Sequence, residues 1–242
     1  MRWIYLSPHF DDAVLSCGGL IWEQVKKQAP VEIWTICAGD ALPGPLSPLA
    51  LECHRQWGLP SAEEVVATRR TENQDAAALV GAETVDFSIA DCIYRRSLKG
   101  DLLYPVEVFG PIHPSDEMLD SEIAAALATE LRPDDQIVSP LAIGGHVDHI
   151  LTRRAAEKLV HPLWYYADIP YLLDNNDGLP YATKDLLKKP YPVTKEGLGH
   201  WIKGIAAYRS QTRMLFTDDE KMKMAISLYW ENQRGIRLWH AS

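Results

Sequence analysis

The 242-residue sequence has only four cysteines, Cys17, Cys37, Cys53 and Cys92, and none stands in a CxxC pair. That spacing argues against a thiolate zinc site or a disulfide framework and fits buried free thiols in a cytoplasmic protein. No run approaches the roughly 20 apolar residues that a membrane span needs. Met1 to Leu6 are apolar but run into Pro8-His9 and two acids, so they lack the apolar length and small-residue cleavage site of a signal peptide. Basic excess is missing as well: 24 Lys and Arg face 33 Asp and Glu, a formal net charge of −9. Broad binding to phosphate backbones needs a basic face, so no nucleic-acid partner is expected. The chain has no internal repeat, no low-complexity segment and no GxGxxG loop after its first strand. Acids at the mouth of the first helix would repel a pyrophosphate, which disfavours a nucleotide-binding protein.

What is present is an ordinary globular composition, 47% hydrophobic and 24% charged, with enough length for one domain over 1–242. Arg2 to Ser7 reads as a buried strand. Val14, Leu15, Gly18, Ile21, Trp22 and Val25 then recur at helical spacing to about Lys27. Gly18-Gly19 within that helix predicts close packing on the sheet or the near approach of another backbone. Further strands are expected at 31–38, 84–88, 136–139 and 163–167. Helices are expected from Ser61 to Gly81, where Ser61 to Glu64 has capping-box spacing, from Asp116 to Leu131, and from His146 to about Val160. Asp40 to Pro48, with three prolines and a glycine, reads as a loop over the site. Asp174 to Gly178 and Pro180 to Pro192 read as polar, proline-punctuated connections. Helices over 195–209 and 218–233 close the chain. The alternation predicts an α/β fold: a single Rossmann-like three-layer sandwich with a mostly parallel sheet. Its core covers about 1–170, with a C-terminal helical cap over about 190–242.

Two segments at strand exits hold most of the metal-capable and acid–base side chains: Ser7-Pro8-His9-Phe10-Asp11-Asp12 and Gly145-His146-Val147-Asp148-His149. In a parallel sheet such exits converge on one edge, so the two could build one site. His9 and Asp12 stand three apart and can reach one ion. A catalytic zinc has three protein ligands and leaves a position for water. The third ligand is His146 or His149, and spacing alone does not choose between them. If Asp12 binds the ion, Asp11 is free to accept a proton as a general base. His146 beside the ion, kept charged by Asp148, could stabilise an oxyanion or protonate a leaving amine. As bland alternatives, Asp11 and Asp12 would simply cap the first helix and Asp148 the later one. A Mg²⁺-binding receiver would also use paired aspartates, but the exit at Ser139-Pro140 leads to histidines rather than to a Lys.

Pro8-His9-Phe10-Asp11-Asp12, followed by Gly18-Gly19 and by His146-Val147-Asp148-His149, resembles the PIG-L/LmbE-like de-N-acetylase family over roughly residues 2–170. The resemblance implies a zinc-dependent hydrolase that removes acetyl from an N-acetylated amino sugar or its conjugate by attack of zinc-bound water. By position it implies one Zn²⁺ per chain on His9, Asp12 and His149, Asp11 as base, His146 as oxyanion or leaving-group partner, and Asp148 as its support. Arg69 and Glu72 resemble the family's Arg-x-x-Glu pair, and Asp91 the acid after the next strand. Arg69 and Asp91 are thus candidate binders of sugar hydroxyls, against a plain reading as a surface salt bridge or cap. Ala13 stands where many members have Glu, and Phe10 where many have Pro. Tyr165 to Tyr171 and Tyr208-Arg209-Ser210-Gln211 resemble a bacterial subgroup. The alternatives are a metal-binding protein without turnover and a hydrolase of another amide C–N bond. The expected partner is the sugar substrate, and a homo-oligomer is left open.

Overall fold

In the computed structural model, residues 1–174 and 178–241 are described; Asn175 to Asp177, within the polar connection expected at Asp174 to Gly178, lie outside them, as does the Asp174 side chain. The framework is one seven-stranded sheet of order β3-β2-β1-β4-β5-β7-β6. Its strands are β1 (Trp3–Ser7), β2 (Val31–Thr35), β3 (Glu83–Asp86), β4 (Gln136–Pro140), β5 (Leu163–Tyr166), β6 (Leu187–Pro192) and β7 (Gly235–His240). The first five are parallel, and β7 runs antiparallel to both of its neighbours. β1 is buried along its whole length, as a central parallel strand covered on both faces must be.

The chain leaves β1 toward β2 on one side and later enters β4 on the other. That reversal makes a crevice at the carboxyl ends of β1 and β4. β1 delivers residues 8–12 to it before α1 (Asp12–Lys26), and β4 delivers 141–146 before α5 (Val147–Glu157). The remaining helices are α2 (Pro48–Trp57), α3 (Ala62–Val80), α4 (Leu119–Glu130), the short α6 (Tyr171–Asp174) and α7 (Leu179–Ala182), α8 (Lys195–Ala206), α9 (Arg209–Phe216) and α10 (Asp219–Gln233).

Gly18 and Gly19 serve a close approach, but by a side chain. A Cβ on Gly18 would stand 2.7 Å from Trp201 Cδ1, and one on Gly19 2.9 Å from Val193 Cγ1. Without them Trp201 of α8 seats against α1 and donates its indole N–H to the Val14 and Leu15 carbonyls, at 2.9 and 3.1 Å.

The expected helical cap over 190–242 needs correction. α8 to α10 are there, but the chain ends in a strand, and Leu187 to Pro192, expected as a connection, is the edge strand beside it. Lys188, Lys189 and Pro190 suit that exposed edge, because charge and a missing N–H discourage further pairing. The expected loop is there over residues 40–47, but the helix that follows it was not foreseen. Pro48 is the first residue of α2, its fixed φ suited to that position, and Ser47 caps the helix by accepting the Ala50 N–H at 2.9 Å. α2 rather than the loop forms the site wall.

Candidate metal centre

The turn after β1 is fastened by Ser7, whose hydroxyl donates to the His9 carbonyl and accepts the Ala13 N–H at 3.0 Å. Ala13 is wholly buried in the core under α1. Phe10 is buried beneath the Arg69 and Arg70 guanidiniums, 5.9 and 5.8 Å from its ring centroid. This turn aims His9, Asp11 and Asp12 into the crevice.

Asp12 joins the two motifs. Its Oδ2 accepts the His9 N–H at 2.7 Å and lies 3.2 Å from His9 Nδ1, while its Oδ1 lies 3.3 Å from His149 Nε2. His149 Nδ1 is 2.7 Å from Asp168 Oδ1, and Asp168 Oδ2 accepts the Ile143 N–H at 2.9 Å. With a proton on Nδ1, Nε2 of a neutral His149 is a lone pair facing a carboxylate oxygen. That atom is buried and has no aligned hydrogen-bond partner. Two facing lone pairs need a positive charge between them.

The donor set therefore fits a metal. Ligand atoms of His9, Asp12 and His149 all lie within 4.8 Å of one another. Zinc bonds of about 2.0–2.2 Å at a tetrahedral angle separate neighbouring ligands by roughly 3.4 Å. The surrounding charge agrees. Burial opposes a charge on His9, but Asp91, Asp12 and Asp148 together hold it well above the ordinary imidazole value in the ion-free cluster. His149, likewise buried, is raised to about 9 by Asp12 and Asp168. The carboxylates demand a cation here.

Asp148 does not play the role expected of it. Its carboxylate is fully buried and faces His9 Nε2 at 3.1 Å, the Cys92 N–H at 3.0 Å and Arg95 NH1 at 2.6 Å. Its hydrogen bond to His146 runs through its backbone N–H, which donates to Nδ1 at 3.2 Å. So His146, not Asp148, caps α5. Burial and the charge on His9 hold His146 below the usual imidazole value, and with Nδ1 accepting the Asp148 N–H, Nε2 is the ring nitrogen left to donate. Its ring is edge-on to His9 at 4.8 Å.

Arg69 is no surface salt bridge. It is 7% exposed, NH2 lies 3.3 Å from Asp11 Oδ1 and NH1 3.6 Å from Asp91 Oδ2. Asp91 also caps the turn at Cys92–Tyr94, accepting the Ile93 N–H at 3.1 Å. Burial pushes Asp11 above the usual carboxylate value, against the pull of Arg69. Glu72 turns away from the site and accepts from Ser210 N–H and Oγ–H at 2.9 and 2.6 Å.

Of the expected residues, His9, Asp11, Asp12, Arg69, Asp91 and His146 line one cavity and His149 stands against Asp12, whereas Asp148 and Glu72 do not reach it. The cavity measures about 370 Å³ and is lined by His9, Asp11, Asp12, Arg69, Asp91 and His146, with apolar walls from Leu49 and Trp57 of α2, Phe109, Tyr171 and Leu215. Asp168 and Arg95 were not legible as site residues, although Asp168 leaves β5 as the motifs leave β1 and β4.

Comparison with known proteins accords with this geometry. The family model PIG-L, GlcNAc-PI de-N-acetylase, matches residues 4–160, which include both motifs. The chain belongs to the PIG-L family. It is 26% identical to a 2'-N-acetylparomamine deacetylase of Niallia circulans, covering 98% of this chain and 92% of that protein. Among solved structures, teicoplanin deacetylase Orf2 in its zinc-inhibited form superposes with a TM-score of 0.84 at 26% identity, over 99% of this chain and 97% of Orf2. The A40926 pseudoaglycone deacetylase Dbv21 gives 0.79 at 25% identity, over 99% and 96%. The PIG-L match ends before Asp168 and the C-terminal strands, but these structural relatives span them.

Proposed function

We propose that His9, Asp12 and His149 hold zinc, and that Asp11, with His146, carries out hydrolysis of an N-acetylated amino sugar or its glycoside. Family, relatives and structural neighbours make the protein a zinc-dependent deacetylase of amino-sugar conjugates. The observation that carries the residue assignment is the convergence of His9 Nδ1 and His149 Nε2 on the two oxygens of the Asp12 carboxylate, with Asp12 and Asp11 both lining the cavity. Bound there, zinc supplies Lewis acidity, polarising the acetyl carbonyl and easing loss of a proton from water.

The chain's own residues supply the rest. Asp11, oriented by Arg69, accepts the proton of the attacking water and returns it to the amine as the C–N bond breaks, a contribution of about 10²–10⁴-fold. His146 presents Nε2–H to the developing oxyanion; a neutral donor does this without adding a charge that would compete with zinc. Asp168 and Asp148 orient His149 and His9, as carboxylates behind ligating imidazoles commonly do. Arg69 and Asp91, which line the cavity, are assigned to sugar hydroxyls. Four free cysteines, three of them buried, support the cytoplasmic assignment. The test is amine release from a panel of N-acetylated sugars, acetylated peptides and acetyl-lysine. Preferential turnover of sugars supports the reading, and preferential turnover of peptides would move it to another amide class.

A further inference from the structure

Helix α9 is clamped to α3 by two polar contacts that the hydrolysis itself does not use. Tyr208 donates its hydroxyl to Asn73 Oδ1 at 3.1 Å, and Ser210 donates N–H and Oγ–H to the two oxygens of Glu72. Ser210 is therefore spent as a donor, and its oxygen can only accept. Gln211 Nε2 donates to that oxygen at 2.9 Å. The direction of the chain fixes which end of the Gln211 amide faces Ser210, because a carbonyl there would meet a lone pair. What remains is the amide carbonyl oxygen and one N–H, the bond to Ser210 being the only side-chain hydrogen bond Gln211 makes among the described residues.

Gln211 is 2% exposed yet lines the cavity that holds the metal cluster. The other polar lining groups are ionised or imidazole, apart from Tyr171, Cys53 and Trp57, whose indole N–H can only donate, and most of the remaining wall is apolar. A buried amide with a spare donor and a spare acceptor matches one chemical group particularly well: a hydroxyl, which needs both. A charged substrate group would be met better by Arg69 or by the carboxylates.

We propose that Gln211 is a specificity-determining residue that binds one hydroxyl of the amino-sugar substrate, held in register by Glu72 through Ser210. The assignment rests on the deacetylase reading above. A site built to pair a hydroxyl discriminates against the analogue that lacks it, because its own polar group is then left unpaired.

The test is steady-state amine release from a simple N-acetylglucosamine glycoside and its 3-, 4- and 6-deoxy counterparts, by wild type, Gln211→Met and Gln211→Asn. Wild type should lose about 10–100-fold in kcat/KM for one deoxy sugar, mainly through KM. Gln211→Met should show that same loss on the parent glycoside and no further loss on that analogue. Gln211→Asn, which withdraws the amide by one methylene, should behave alike and covers the case in which the methionine variant fails to fold. Losses that multiply for all three deoxy sugars in either folded variant, or unchanged KM values in both, overturn the proposal. No turnover of any of the four sugars by wild type is a different result. It removes the sugar-deacetylase reading, and the Gln211 assignment with it.

Discussion

His149 Nδ1 lies 2.7 Å from Asp168 Oδ1, both side chains being sealed from solvent. An acid outside both sequence motifs thus decides which nitrogen of a motif histidine faces the metal locus. A ligating imidazole with its second N–H on a carboxylate is fixed in tautomer and ring orientation, and is more basic toward the ion.

Asp168→Asn should therefore weaken zinc binding about 10–100-fold while the fold persists. Competition with a chromophoric chelator measures this directly. Wild-type affinity in that variant would show that Asp168 only braces the Ile143 loop.

Asp11 and Asp12 are neighbours with opposite surroundings: Asp11 meets Arg69, and Asp12 meets the two imidazoles. Asp11→Asn should keep its metal and lose about 10²-fold or more in kcat. Loss of metal as complete as in Asp12→Asn would mean that the two acids share the ion.

Packing of α8 on α1 depends on the missing Cβ of Gly18. Gly18→Ala places a methyl carbon 2.7 Å from Trp201, whose indole N–H is held by the Val14 and Leu15 carbonyls. Overpacking of this kind costs about 1–3 kcal/mol, partly offset by the better helix propensity of alanine. Urea unfolding reads the sum, and stability equal to wild type would show that Trp201 can shift freely.

At the opposite end of the sheet, Arg2 ties β1 to the β4 entry, with NH2 2.6 Å from Asp135 Oδ2. Burial would raise Asp135, but the hydrogen bonds from Arg2 and from the Arg132 N–H outweigh it and hold the carboxyl below its usual value. A depressed folded-state value stabilises the fold above the unfolded carboxyl pKa, and that contribution fades as pH falls through the folded one. Asp135→Asn should lower stability at neutral pH by about 2 kcal/mol and flatten the loss of stability as pH falls below the ordinary aspartate value of about 3.9. An unchanged acid limb in urea titrations would assign that limb to other carboxylates.

Much of the site was legible because its strands are continuous apolar runs and its acids and histidines sit directly at their exits. His9, Asp11, Asp12, His146 and Asp91 line one cavity, with His149 beneath it. Partnerships were less legible than placement. Asp148 is next to His149 in sequence, yet its carboxylate orients His9, because the first turn of α5 points it across the crevice toward Arg95. Arg95 carries no motif, and Asp168 is one acid after one strand among several. The end of the chain was hidden for another reason. Gly235 to His240 is a short run holding Ile236, Leu238 and Trp239 without strict alternation, and its outer partner is the run Leu187-Lys188-Lys189-Pro190, whose pairing only the sheet reveals.

The most direct measurement is zinc content per chain, by elemental analysis, for wild type, Asp11→Asn, His9→Ala, Asp12→Ala and His149→Ala. Wild type and Asp11→Asn should hold close to one ion each, and the three ligand variants should lose it while remaining folded by circular dichroism. Near-stoichiometric zinc in folded His9→Ala and His149→Ala would contradict the assignment of the centre.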